Sequence, residues 1–267
     1  MVPDSDSSAE SAAAATEATD AAEARDATDD RGPQLGHLAE AVGVLLGAYL
    51  FASIAVTALD PAVSGLDVIP GTDNDTGILR TAIQFVGLIV VVIWYDRFVR
   101  EGLLRAVVPD RRAAALIGGG IVTLVAANYG ISGLFSRLGF DSGTNAAVAA
   151  GAGDPTYFLV MVLISILLVG PAEELLFRGA VQGRLRDSWG AWPSILAATV
   201  LFGAVHAPAV SGGRAAVLSA VVIATILGVL LGYLYERTDN IVVPAVVHGV
   251  NNAVIFGGLY LREIGVL

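Results

Sequence analysis

The sequence predicts an all-α, polytopic membrane protein: a bundle of about seven transmembrane helices behind a disordered acidic tail. Three observations carry this prediction. Hydrophobic residues make up 55% of the chain, and mean hydropathy is +0.71. Several apolar runs approach the roughly 20 residues needed to cross a bilayer, with only short polar breaks between them. The first 32 residues are built differently, with no aromatic residue and Val2 as the only branched aliphatic.

That opening stretch, rich in Ala, Asp, Glu, Ser and Thr, cannot bury enough apolar surface to offset chain ordering. Its nine acids against Arg25 and Arg31 account for −7 of the formal −10. It is neither basic nor followed by a short apolar core with a cleavage site, so no cleavable signal is read there. We divide the chain into a tail at 1–35 and one membrane domain at 36–267. Hydropathy places spans near 38–59, 79–95, 113–135, 155–184, 191–209, 214–235 and 241–261. The fourth is overlong and contains Pro171, which predicts a kink or break, and splitting it would give an eighth crossing.

Arginine supplies every basic side chain. Arg97, Arg100, Arg105, Arg111 and Arg112 follow the second span, Arg184 and Arg186 the fourth, and Arg237 the sixth. Only Arg80, Arg137, Arg214 and Arg262 fall on the other side, together with Asp60, Asp67, Asp73, Asp75, Asp141 and Asp154. Positively charged loops stay in the cytoplasm. The expected protein is therefore a multi-pass cell-membrane protein with its N-terminus inside and its C-terminus outside. Its partners are the bilayer and a peptide or lipidated peptide; no nucleic acid is expected. Without cysteine the chain has no disulfide, thiolate metal site or cysteine nucleophile.

Three polar clusters interrupt the greasy spans: Glu173-Glu174-Leu175-Leu176-Phe177-Arg178, Phe202-Gly203-Ala204-Val205-His206 and His248-Gly249-Val250-Asn251-Asn252. Ionisable groups in lipid cost several kcal/mol unless paired or hydrated, so each cluster is a candidate functional site. His37 is the third histidine and lies just before the hydrophobic body. Residues four apart share a helix face, so Glu174 and Arg178 can neutralise each other. Glu173 is turned about 100° from Glu174 and is expected to face a different neighbour. Glu173 and His206 are equidistant, to within a residue, from the polar turn Asp187-Ser188-Trp189-Gly190. A helical hairpin would bring them to one height, roughly 24 Å from the turn. His248 sits only a few residues into its own span. The three meet only if that hairpin projects beyond the bilayer or the last span begins earlier.

A carboxylate beside an imidazole can hold and deprotonate water. In this reading Glu173 is the base, His206 aims the water, and Glu174 with Arg178 fixes the local charge. His248 and Asn252 donate to the oxyanion of a tetrahedral intermediate. Zinc is the alternative, with Glu173, His206 and His248 as three ligands and one open position. The helix-borne His-Glu-x-x-His pattern of metalloproteases is absent, and the reading without a cofactor is favoured.

Glu-Glu-x-x-x-Arg, Phe-x-x-x-His and His-x-x-x-Asn, in this order on successive spans, resemble the CPBP family of CAAX prenyl endopeptidases and bacteriocin-processing or immunity-type (Abi-like) membrane proteins. The resemblance covers about 155–261. It implies an all-helical intramembrane endopeptidase, glutamic or metallo in type, acting on a peptide that is prenylated in the CAAX enzymes. Glu173, Glu174, Arg178, His206, His248 and Asn252 inherit the family's roles by position. Two other readings compete. A non-catalytic immunity or scaffold protein would use the clusters only to lock helices. A rhomboid-like serine protease would use Ser132 of Gly130-Ile131-Ser132-Gly133, which leaves the glutamate cluster unexplained. A transporter is disfavoured, because few other polar residues line the spans.

Overall fold

The computed structural model describes residues 31–140 and 143–267. The proposed tail lies outside the described residues up to position 30. Residues 31–35, expected in the tail, begin the first helix instead. That helix, α1, spans Arg31–Val63, followed by α2 at Asp75–Phe98 and α3 at Arg111–Arg137. A short strand β1, Thr144–Asn145, leads into a one-turn helix α4, Ala146–Ala150. A continuous rod, α5, covers Pro155–Trp189. Then come α6 at Ala191–Val205, β2 at Val210–Ser211, α7 at Arg214–Thr238 and α8 at Val242–Glu263. The two strands form a small antiparallel pair, Thr144 opposite Ser211.

Seven of these helices are long and apolar enough to cross a membrane, and among the described residues there is no eighth. The bounds differ from the hydropathy reading by a few residues, mostly because amphipathic ends extend each span. Caps explain where several begin. Asp110 accepts from Ala113 N (2.7 Å) at the start of α3, and Asp154 accepts from Tyr157 N (2.9 Å) ahead of Pro155. Gly190 turns α5 into α6 at φ 74°, a left-handed conformation that favours glycine. Exposed Leu46, Leu50 and Ile54 on α1 and Leu159, Leu163 and Leu167 on α5 recur every four residues. Such stripes suit contact with lipid tails.

The rod α5 is the axis of the bundle. It packs on α1, α2, α6 and α8, while α3 and α7 complete the outer layer against α8. Its fully buried Leu176, Phe177, Val181 and Leu185 form a core with Leu88 and Val92 of α2 and Leu45 of α1. The height problem resolves by projection. The last span starts at Val242, so His248 lies about 9 Å along it, against about 24 Å between Glu173 and Trp189. The α5–α6 hairpin therefore reaches past the start of α8. The head of α1 accompanies it, with Arg184 Nε donating to Glu40 Oε2 (2.6 Å). Asn240 pins the loop after α2 to the start of α8, donating to Val107 O (2.9 Å).

Candidate active site

The glutamates sit on one α-helical turn, Gly170–Glu174, between two π-helical stretches, Ser165–Val169 and Leu175–Gln182. A proline inside a helix removes one hydrogen bond and crowds the carbonyl four residues back. At Pro171 the wider π turn just before it takes up that conflict, so α5 continues without the expected break. π turns inside helices often accompany functional sites. Gly170 makes a second local feature possible. A Cβ there would lie 2.6 Å from Ala245 O and 2.8 Å from Gly249 N. One on Gly249 would lie 2.8 Å from Ser165 O. Helices α5 and α8 thus touch backbone to backbone beside the glutamates.

That close approach sets the geometry. Arg178 Nε donates to Glu174 Oε2 (2.9 Å), and both side chains are fully buried. The other oxygen of Glu174 meets His248 Nδ1 at 2.8 Å. On the far side of the same ring, Nε2 lies 3.6 Å from Glu173 Oε2. This exceeds direct hydrogen-bond reach. The result is a chain of alternating charge type, Arg178–Glu174–His248–Glu173, spanning two helices. The expectation that Glu173 would face a different neighbour from Glu174 is corrected: both face His248, on opposite nitrogens. An imidazole pressed against α5 at a glycine contact fits between consecutive carboxylates.

Phe202 is more than packing. Its ring meets His206 (4.7 Å between centroids), His248 (5.7 Å) and Phe177 (5.0 Å), each edge-on. The Arg178 guanidinium carbon lies 5.1 Å from the same ring, within cation–π range. Among the described residues the terminal nitrogens of Arg178 have no hydrogen-bond partner, so this ring face and Glu174 are what hold the charge. His206 donates from Nδ1 to Phe202 O (2.7 Å). A carbonyl only accepts, so Nε2 is left as the accepting nitrogen.

Glu173, His206, His248 and Asn252 all line one cavity of about 530 Å³. Glu174 and Arg178 stand behind it. Asn252 Oδ1 accepts from Asn251 Nδ2 (3.2 Å), which leaves the Asn252 amide N–H groups as side-chain donors. Asn251 in turn meets Asn128 of α3 at 3.5 Å. Sequence reasoning missed Tyr49, Gln84 and Asn145, which also line the cavity. The polar pair Thr81 and Gln84, one turn apart in an apolar span, was the available signal; Tyr49 offered none.

Two alternatives fare differently. Ser132 lies half-buried on α3, which contributes no residue to the cavity wall. Among the described residues no three His, Asp or Glu side chains gather as a metal cage. Glu173, His206 and His248 line one space, and no step below passes through a metal.

Comparison with known proteins covers the helices that carry these residues. Residues 155–254 match the family described as type II CAAX prenyl endopeptidase, Rce1-like. The stretch runs from the first turn of α5 past Asn252. The chain is 28% identical over 174 residues to "Putative membrane peptidase YdiL" of Bacillus subtilis (strain 168), covering 64% of this chain and 67% of that protein. No solved structure matches. Through this core, which contains every motif on which the resemblance rested, the chain is similar to the CPBP family of membrane proteins.

Proposed function

We propose that the chain is an intramembrane endopeptidase that hydrolyses a peptide bond of a membrane-associated substrate, using water activated by side chains. One observation carries the reading: the Arg178–Glu174–His248–Glu173 chain ends in a cavity that His206 and Asn252 also line. Glu173 takes a proton from water, and His206 Nε2 accepts the water's other hydrogen and aims it. The hydroxide attacks the peptide carbonyl. The oxyanion receives hydrogen bonds from Nε2–H of His248 in its doubly protonated form, whose Nδ1–H donates to Glu174, and from the Asn252 amide. Collapse expels the amine, which recovers its proton from Glu173.

Cleavage of a quenched lipopeptide library by purified protein tests this. Glu173→Gln is nearly isosteric and should lower turnover by about 10²–10⁴-fold, the usual contribution of a general base, while leaving thermal unfolding unchanged. Turnover retained in that variant would refute the assignment. If native function instead survived Glu173→Gln but failed on large-to-small packing changes, the scaffold or immunity role would be the right one. Repeating the assay on chelator-treated protein decides between side-chain and metal activation; activity lost on chelation and restored by zinc would favour the metal. Mapping the cleaved bond then shows whether the substrate is of the prenylated class.

A further inference from the structure

The cavity is one-sided. On α5 its wall runs from Tyr157 through Met161 and Val169 to Glu173 and stops there. On α8 it begins at His248 and continues only toward the C-terminus, to Phe256. Its α2 residues fall within the first turns, and Ala209 follows the end of α6. All of these directions lead to the same face of the bundle, where the β1–α4 segment contributes Asn145 and Ala146. Below Glu173 the opposite route is closed. Phe177, Arg178, Val181, Gln182 and Leu185 are all fully buried over the next turns of α5. Glu173 lies about 24 Å from either Tyr157 or Trp189 along this rod. On α8, by contrast, His248 lies only about 9 Å from the arginine-rich end, yet the cavity wall leads away from that end.

The reachable end is the arginine-poor one. Arg97, Arg100 and Arg105 mark the closed end after α2, with Arg184 and Arg186 at the hairpin tip. Arginine-rich loops stay in the cytoplasm. On the reading of this cavity as a peptidase site, we infer that it takes its substrate from the extracytoplasmic side. The substrate class is an exported or membrane-anchored peptide presented on that face, and not a lipidated tail displayed in the cytoplasm. The wall suits such a peptide. Phe85, Met161 and Phe256 offer apolar contact, and Gln84, Asn145 and Asn252 can meet main-chain amides.

The chain has no cysteine, so single-cysteine variants report access directly. Ala146→Cys lies in the exposed mouth, and Glu101→Cys on the exposed arginine-rich loop. A membrane-impermeant maleimide should label Ala146→Cys in intact spheroplasts and Glu101→Cys only in inverted vesicles. The converse pattern, or an Ala146→Cys that stays unlabelled from both sides, overturns the inference. In spheroplasts given an external quenched peptide, a bulky maleimide at position 146 should abolish cleavage, while one at position 101 should not. The labelling does not depend on activity, so the two readings can fail separately. Labelling from outside with no cleavage by the unlabelled protein would sink the peptidase reading and the substrate with it, leaving only the orientation.

Discussion

Glu174 and Arg178 show how a charge survives in the centre of a membrane bundle. Each is fully buried, and each holds the other at 2.9 Å. Removing one member of such a pair leaves an uncompensated buried charge and costs about 3–5 kcal/mol, more than the pair's own net worth. Arg178→Gln should therefore lower the thermal unfolding temperature sharply. Adding Glu174→Gln should restore much of it, because the double variant removes both charges of this pair. Cleavage should not return, since His248 would lose the carboxylate that meets Nδ1 at 2.8 Å. Equal instability of single and double variants would show that the pair is not a unit. Asn252 makes a contrasting case, because its role is local to the cavity. Asn252→Ala should cut turnover by about 10²–10³-fold, as losing one oxyanion donor does. Asn251→Ala should act more weakly, since Asn251 does not line the cavity and reaches Asn252 through its side-chain oxygen. Turnover with Asn251→Ala lower than with Asn252→Ala would reverse the two roles.

At the scale of elements, the contact between α5 and α8 decides whether those residues meet. Gly170→Ala would place a methyl 2.6 Å from Ala245 O and 2.8 Å from the Gly249 amide nitrogen. Backbone atoms cannot swing aside, so the helices must separate. Overpacking of this kind costs about 1–3 kcal/mol, and the Glu174–His248 bond lengthens with it. The expected result is a folded protein with little cleavage; a fully active Gly170→Ala would show that the helices tolerate separation. This contact also marks where the sequence stopped being legible. The spans were readable because lipid imposes length and apolarity on every crossing helix. The motif residues were readable because ionisable groups stand out against that background. The π turns around Glu173, the glycine contact and the shared partner of the two glutamates were not readable. They arise from how α5 lies on α8, which no local pattern encodes. Gln84 and Tyr49 were missed for the same reason: a polar residue in a span lines the cavity only if its face of the helix happens to turn inward.

Across the whole molecule, different networks hold the two faces together. At the arginine-rich end Glu40 accepts from Tyr95 Oη (2.7 Å), Arg100 Nε (3.0 Å) and Arg184 Nε (2.6 Å), joining α1, α2 and the hairpin. At the other end Asp154 plays the matching part beside the cavity mouth. It accepts from Thr72 Oγ1, from Asn74 Nδ2 at 3.1 Å and from Tyr157 N at 2.9 Å, fastening the loop before α2 to the start of α5. Burial opposes the charge on this carboxyl, but the hydrogen bonds from Thr72, Tyr157 N and Asn74 outweigh it and hold its pKa below the ordinary 3.8. A carboxyl that binds its proton less tightly when folded stabilises the fold above its unfolded pKa. That contribution is complete at neutral pH, starts to fall near 3.8 and is lost as pH drops through the lower folded value. Asp154→Asn keeps a capping oxygen but has no charge to titrate. It should be less stable than wild type by about 1 kcal/mol at neutral pH, the net scale of one intramolecular hydrogen bond. The gap should close in acid, because protonated Asp154 no longer differs from asparagine in charge. Thermal unfolding in detergent across this range reads the gap directly. A difference between the two proteins that persisted unchanged below the folded pKa would mean that packing at the mouth, and not the charge of Asp154, joins α2 to α5 there.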